Sequence, residues 1–239
     1  MAIFSVLGLL WAFIFVLEAL VGPLEVEALA NYASVEKTQT VFTTETLRTA
    51  VGAWCKDKES AKEIYGDIEN WNTSKVENMS FLFNDWAGAP IYCSTASAFN
   101  EDISRWDVTS VTSFYRTFCF AYAFNQDISS WKTAHVTNLQ NTFSHAISFN
   151  QDLSSWNTAR VTTLRGIFYD ARVFNYDLSK WNLEGVETFQ DAFGLATSFN
   201  QSLCWNISSG ANTDAMFDGT ASGCIDSRCG SAEDKSLLC

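Results

Sequence analysis

An acid recurs at Asp67, Asp102, Asp127, Asp152 and Asp177, and an indole follows four residues later at Trp71, Trp106, Trp131, Trp156 and Trp181. An amide recurs beside them at Asn100, Asn125, Asn150, Asn175 and Asn200. Stacked carboxylates could hold calcium between successive units or supply a glycosidase-type pair, and an exposed row of indoles could stack on sugar rings. Each residue type also has a structural role, which the regular spacing favours. A turn amide bonds backbone groups of its own and neighbouring units, and a carboxylate accepts backbone N–H bonds. An indole repeated in every unit fills core, burying on the order of 200 Å². The two histidines, His135 and His145, stand where other units carry Ser110, Arg160 and Gly185, or Phe120, Asp170 and Leu195. No Gly-x-Ser-x-Gly motif and no cysteine spaced with a base assembles a nucleophile. The chain therefore reads as non-enzymatic, with no catalytic residue, no metal site and no cofactor.

These residues belong to a period of 25, visible in Phe-Asn at 99–100, 124–125, 149–150, 174–175 and 199–200 and in a sixth unit running from Ile64 to Trp71. Such a period marks a solenoid, in which stacked neighbours bury one continuous core. Five residues beyond each Trp stands Val76, Val111, Val136, Val161 or Val186. Apolar residues follow at offsets of 3, 7 and 10, for example Leu139, Phe143 and Ala146 after Val136. That spacing predicts a helix of about three turns, while the Asp-to-Trp segment predicts a strand of about five residues. The fold class expected is an α/β solenoid, a right-handed leucine-rich-repeat-like stack of six 25-residue coils, each a short parallel strand plus a short helix. Val-Thr at 111–112, 136–137 and 161–162 would also suit a strand, so an all-β solenoid stays open.

The array spans 64–222 of the 239 residues. Residues 31–63 form an N-terminal capping segment, in which a helix over 44–58 places Leu47, Val51, Trp54 and Cys55 on one face. Residues 223–239 read as a poorly ordered tail. The first 17 residues lack charge, and Ala28-Leu29-Ala30 offers a cleavage pattern. Residues 1–30 thus read as a secretory signal peptide or, at the lower length limit, an uncleaved anchor. Either places the protein at the cell surface or outside the cell. With 27 acids against 15 bases and a net charge of −12, nucleic acid and anionic membranes are excluded as partners, the membrane entering only through that anchor.

The cysteines number seven, plausible disulfide material outside the cytosol. Trp71 and Trp106 lie 35 residues apart, and the ten extra residues fall in 84–94 and bring Cys93. Cys119 occupies an exposed-looking position one repeat later, which makes Cys93–Cys119 the expected bridge. Asn72, Asn78 and Asn206 head N-x-Ser/Thr glycosylation patterns.

The units FNEDISRWDVTSVTSFYRTFCFAYA, FNQDISSWKTAHVTNLQNTFSHAIS and FNQDLSSWNTARVTTLRGIFYDARV resemble the repeats of BspA-like leucine-rich-repeat surface proteins, found also in mycoplasma surface lipoproteins and algal proteins. The resemblance implies an extracellular or surface-attached recognition protein, some bacterial relatives being adhesins, with no enzymatic site. Positions that vary while the framework holds would form its partner-binding face for a protein or glycan: Glu101, Ser104, Arg105, Gln126, Ser129, Gln151, Ser154, Tyr176 and Lys180. The alternative is a structural wall or matrix component assembled by packing or by cross-linking through an unpaired cysteine.

Overall fold

The computed structural model describes residues 40–85 and 93–226. The expected signal or anchor, the core of the insertion at 84–94 and most of the C-terminal tail lie outside these residues. The chain enters through a strand, β1 (Val41–Thr43), that runs directly into helix α1 (Thr44–Lys56). Thr43 caps α1: its hydroxyl accepts from Thr46 N–H while the Thr46 hydroxyl accepts from Thr43 N–H, a reciprocal pair that satisfies two donors. Asp57 ends α1 and caps helix α2 (Lys58–Tyr65) by accepting from Ser60 N–H. α1 buries Leu47, Ala50, Val51, Trp54 and Cys55. Trp54 meets Trp71 edge-on at 5.7 Å, and β1 pairs in parallel with β2 (Asn72–Lys75), so this N-terminal layer covers the first repeat. No helix among the described residues is long and apolar enough to cross a membrane.

Beyond β2 the repeats stack on one another, and equivalent side chains form columns. Phe83, Phe118, Phe143, Phe168 and Phe193 lie face to face with successive ring centroids 5.5 to 5.7 Å apart. Phe99, Phe124, Phe149, Phe174 and Phe199 form a second column at 5.8 to 6.1 Å, and every ring of both columns is buried. The valines, the Ile/Leu column from Ile68 to Leu203 and the alanines fill the space between them. No single repeat could bury these faces; each depends on its neighbours for its core.

Within a repeat the elements differ from those expected. The only α-helices among the described residues are α1 and α2, both ahead of the repeated units. In the coils from Asp102 to Trp181 the segment from Asp to Trp forms a turn, with Trp131 N–H bonding Ile128 carbonyl at 3.2 Å, while in the last coil its equivalent, Ser202–Leu203, is a short strand. Parallel bridges fall instead in the segment expected to be helical, at Asn78–Ser113, Ser113–Asn138, Asn138–Thr163, Thr163–Thr188 and Thr188–Asn212. The reason lies in the backbone. From the second repeat onward, residues at two positions adopt positive φ, including Arg116 and Phe120, Asn141 and His145, Gly166 and Asp170, Asp191 and Leu195. They convert what would be helix into consecutive tight turns, whose apolar spacing of 3, 7 and 10 imitates an α-helical face. Gly166 shows the constraint most clearly: at φ 57° a Cβ there would meet Asn141 Oδ1 at 2.2 Å.

The disulfide expectation also needs correction. Cys93 bonds Cys55 at the end of α1, with Cα atoms 5.2 Å apart, while Cys119 is the free cysteine among the described residues. Cys119 is buried, not exposed, and desolvation pushes its thiol up to about 11. The bridge ties the entry to the first full repeats back to the capping helix across a separation of 38 residues, a closure worth about 4 kcal/mol in the chain-entropy account. Cys204 and Cys224 are disulfide-bonded as well. They stand at the C-terminal side, where β3 (Ser202–Leu203) pairs in parallel with β4 (Cys224–Ile225).

Candidate functional site

The repeated polar residues are committed to holding coils together or to closing turns within them. Asn100 Oδ1 accepts from Asn125 N–H at 2.9 Å, and the same bond recurs from Asn150 to Asn125, Asn175 to Asn150 and Asn200 to Asn175. Asp102, Asp127, Asp152 and Asp177 each accept the N–H two residues ahead, from Ser104, Ser129, Ser154 and Ser179 at 2.8 to 2.9 Å. These are Asx turns, and the bonds from Ser104 and Ser129 hold the Asp102 and Asp127 carboxyls below the ordinary carboxylate value. Every Trp after the first sends its indole N–H to a carbonyl of the preceding repeat, for example Trp106 to Ile68 at 2.8 Å and Trp181 to Leu153 at 2.9 Å. The indoles are 1 to 4% exposed and cannot present a face to a sugar. No cluster of three His, Cys, Asp or Glu residues suited to a metal occurs among the described residues.

Several residues of the expected binding face share this structural duty. Gln126 donates to Asn100 carbonyl at 2.8 Å and Gln151 to Asn125 carbonyl at 2.9 Å, so both amides staple neighbouring coils. Glu101 pairs with Lys58 of α2 at 2.7 Å, and Arg105 reaches Asn70 Oδ1 at 3.4 Å. Ser104, Ser129 and Ser154 are half-buried behind their Asx turns. Tyr176 and Lys180 stand exposed. Of the glycosylation patterns, Asn72 accepts from Ser74, and Asn78 accepts from Ser80 N–H and from Arg48 of α1. Asn206 is exposed together with Ser208.

A cluster that sequence reading passed over lies at the end of the ladder segment. The second positive-φ column places Phe120, His145, Asp170 and Leu195 one above another. The His145 ring stacks on Phe120 at 4.4 Å and meets Tyr169 edge-on at 5.3 Å. Asp170 accepts from His145 Nδ1 at 3.0 Å and from Arg172 at 2.8 and 3.3 Å. Burial works to raise the Asp170 pKa, but the bonds from Arg172 and His145 outweigh it and leave the carboxyl below its ordinary value. Tyr122, Val173 and Leu195, near the end of this segment, and Tyr176, at the Gln126 and Gln151 position, are exposed large apolar residues, each 38 to 44% accessible. The internal variability of the His145 position was the available signal for this cluster; the left-handed backbone that lines up its members was not visible. The free thiol among the described residues, Cys119, is buried and kept neutral by desolvation. The arrangement is suited to contact, through aromatic faces and one ion-paired edge.

Three overlapping segments of the chain, residues 56–160, 89–204 and 125–226, match a family model described as Mycoplasma protein of unknown function, DUF285. No curated protein and no solved structure matches the chain.

Proposed function

Because the chain belongs to the DUF285 repeat family, whose description assigns no activity, we propose its function from its surfaces: it is a non-catalytic recognition module that binds a protein or glycan at the cell surface. In this reading it is a BspA-like surface protein, secreted or surface-attached, and its stacked coils form a leucine-rich-repeat-type solenoid. The observation that carries the proposal is the division of labour among side chains. Residues shared by the repeats are consumed by bonds between coils or within their own turns, whereas Tyr122, Arg172, Val173, Tyr176 and Lys180 differ from repeat to repeat and stand exposed. Aromatic and cationic side chains of this kind are the usual anchors of recognition. Within the expected face, the weight therefore moves from the Gln and Ser residues that hold coils together to Tyr176 and Lys180, and Tyr122, Arg172 and Val173 are added to it. The test is capture from cell surfaces by the immobilised full chain and by a Tyr122→Glu, Tyr176→Glu, Lys180→Glu variant. Loss of capture with an unchanged melting transition supports the reading, and equal capture by both proteins overturns it.

The cross-linking alternative has less to draw on. Its reactive group would be an unpaired cysteine, and the free thiol among the described residues is buried between coils. Insoluble assemblies released by reductant would restore that alternative.

A further inference from the structure

From Phe114 to Phe120 and in the equivalent segments the backbone hydrogen bonds between coils run one way, whereas Thr112, Thr137, Thr162 and Glu187, just ahead of each segment, donate back to the preceding coil. The N–H groups of Phe114, Arg116, Phe118 and Phe120 donate to the carbonyls of Asn138, Gln140, Thr142 and Ser144 in the next repeat. Leu139, Asn141, Phe143 and His145 then donate to Thr163, Arg165, Ile167 and Tyr169, and the pattern continues through Leu164 to Asp170 and Phe189 to Leu195, at 2.6 to 3.3 Å. In an ordinary strand one residue presents both its N–H and its C=O to the same neighbour. Here the left-handed residues turn alternate peptide units so that N–H groups point forward along the stack and carbonyls point back. The peptide dipoles therefore add along the stack, as they do in a helix.

Such a ladder has two chemically different ends. At the carbonyl end, Ser80 and Leu82 are buried beneath the N-terminal layer, where Arg48 bonds the Asn78 side chain and the Thr44 hydroxyl accepts from Glu77 and Asn78 N–H. At the other end, the last repeat keeps the same backbone, with φ 52° at Ala215 and 76° at Gly219. Its forward N–H groups, on Thr213, Ala215, Phe217 and Gly219, have no partner among the described residues. Phe217 closes the Phe column on Phe193 at 5.4 Å and is only partly buried. The chain returns as far as β4 over Phe199 and Leu203, but that strand covers the opposite side of the repeat.

We infer that this edge is a docking site for a chain segment of the same repeat type, contributed by another protein, whose backward-pointing carbonyls meet Thr213, Ala215, Phe217 and Gly219. The molecule itself shows what fits, because the next repeat covers the identical edge at Phe114, Leu139, Leu164 and Phe189. Polarity excludes the simplest self-association. Two copies joined through this edge would set donors against donors, and a copy approaching by its carbonyl end presents α1 instead of a ladder. Unlike the lateral recognition patch, the site reads backbone polarity and one aromatic column, so it stands or falls separately from the proposed function.

A synthetic peptide of residues 149–173 is the probe, since it carries the ladder carbonyls of Thr163, Arg165, Ile167 and Tyr169 together with Phe168 to stack on Phe217. Amide hydrogen exchange of the full chain should show Thr213, Ala215, Phe217 and Gly219 exchanging freely, in contrast to Phe189, Asp191, Phe193 and Leu195. Adding the peptide should slow the first set by about a hundredfold. A scrambled peptide should give no protection, and a Phe168→Glu peptide should bind at least about tenfold more weakly. Protection of the four amides before peptide is added, at all protein concentrations, would mean that residues 227–239 already cover the edge and would overturn the inference. Protection that grows with protein concentration alone would overturn it in favour of a second copy. Equal binding of native and scrambled peptides, or binding of neither, would also sink it.

Discussion

The two sides of each repeat solve one problem in opposite ways. On the Phe-Asn-to-Trp side, side chains satisfy the backbone: Asn bonds the next repeat's N–H, Asp caps its own turn, Gln reaches back to a carbonyl and Trp donates to the coil before. On the Val-to-Ala side the backbone largely satisfies itself, N–H to carbonyl between coils, with the Thr112, Thr137 and Thr162 hydroxyls adding a bond to the coil before, and most other outward side chains vary. Hence residue identity repeats on the first side and drifts on the second. Tyr115, Gln140, Arg165 and Gln190 occupy one ladder position without disturbing it. Where side chains hold the fold, a binding partner can grip only the substituted positions, such as Tyr176 and Lys180; where the main chain holds it, more side chains are available.

Breaking the shared core should have the largest effect, because it removes a column both sides lean on. Trp156→Ala is expected to cost about 3–5 kcal/mol in chemical denaturation, through lost burial and a cavity between coils. A cost under about 1 kcal/mol would place the indoles outside the load-carrying core. Next comes the tie that joins the capping helix to the stack. Cys55→Ser is expected to destabilise by about 2–4 kcal/mol, and peptide mapping without reductant should recover Cys55 with Cys93. Recovery of Cys93 with Cys119 would overturn the assignment.

A finer comparison sets Gln151 against Gln190, the same amide on opposite sides. Gln151→Ala should cost about 1 kcal/mol for its lost bonds to Asn125, and Gln190→Ala should stay within about 0.5 kcal/mol. Equal costs would erase the distinction between the sides. Asp170 is a ladder-side carboxylate held by two side-chain partners, His145 and Arg172. Its carboxyl sits below the ordinary value of 3.8 in the folded chain, so its contribution is present at pH above that value and fades as pH falls toward the folded pKa. Asp170→Asn should therefore cost about 1 kcal/mol at neutral pH, and the difference from the parent should shrink in acid. A difference independent of pH would show that the ion-paired edge is not ionised as described.

Much of the core was legible in the residues. The period of 25 and the columns of Trp, Val, Phe and Ala could be read directly, because burial in a stack demands the same apolar type at the same place in every unit. The backbone path was not legible. Arg116, Phe120, His145 and Leu195 adopt positive φ although their side chains disfavour it, and nothing in their identity announces the turns. The Gln126 and Gln151 position looked variable because Glu101 and Tyr176 also occupy it, yet the bonds of the two Gln to the coil before make them part of the framework.

Cysteine pairing shows the same divide in one residue. That Cys93 arrives on an insertion is a property of the chain; that it meets Cys55 and not Cys119 depends on where α1 ends in space. The linear order of residues determined the repeat, its register and which faces must be buried, since those follow from local periodicity and apolar type. Only the tertiary structure decided the direction of the hydrogen bonds, the buried state of Cys119 and the polarity of the two ends, because each depends on backbone signs and on neighbours 24 or 25 residues away.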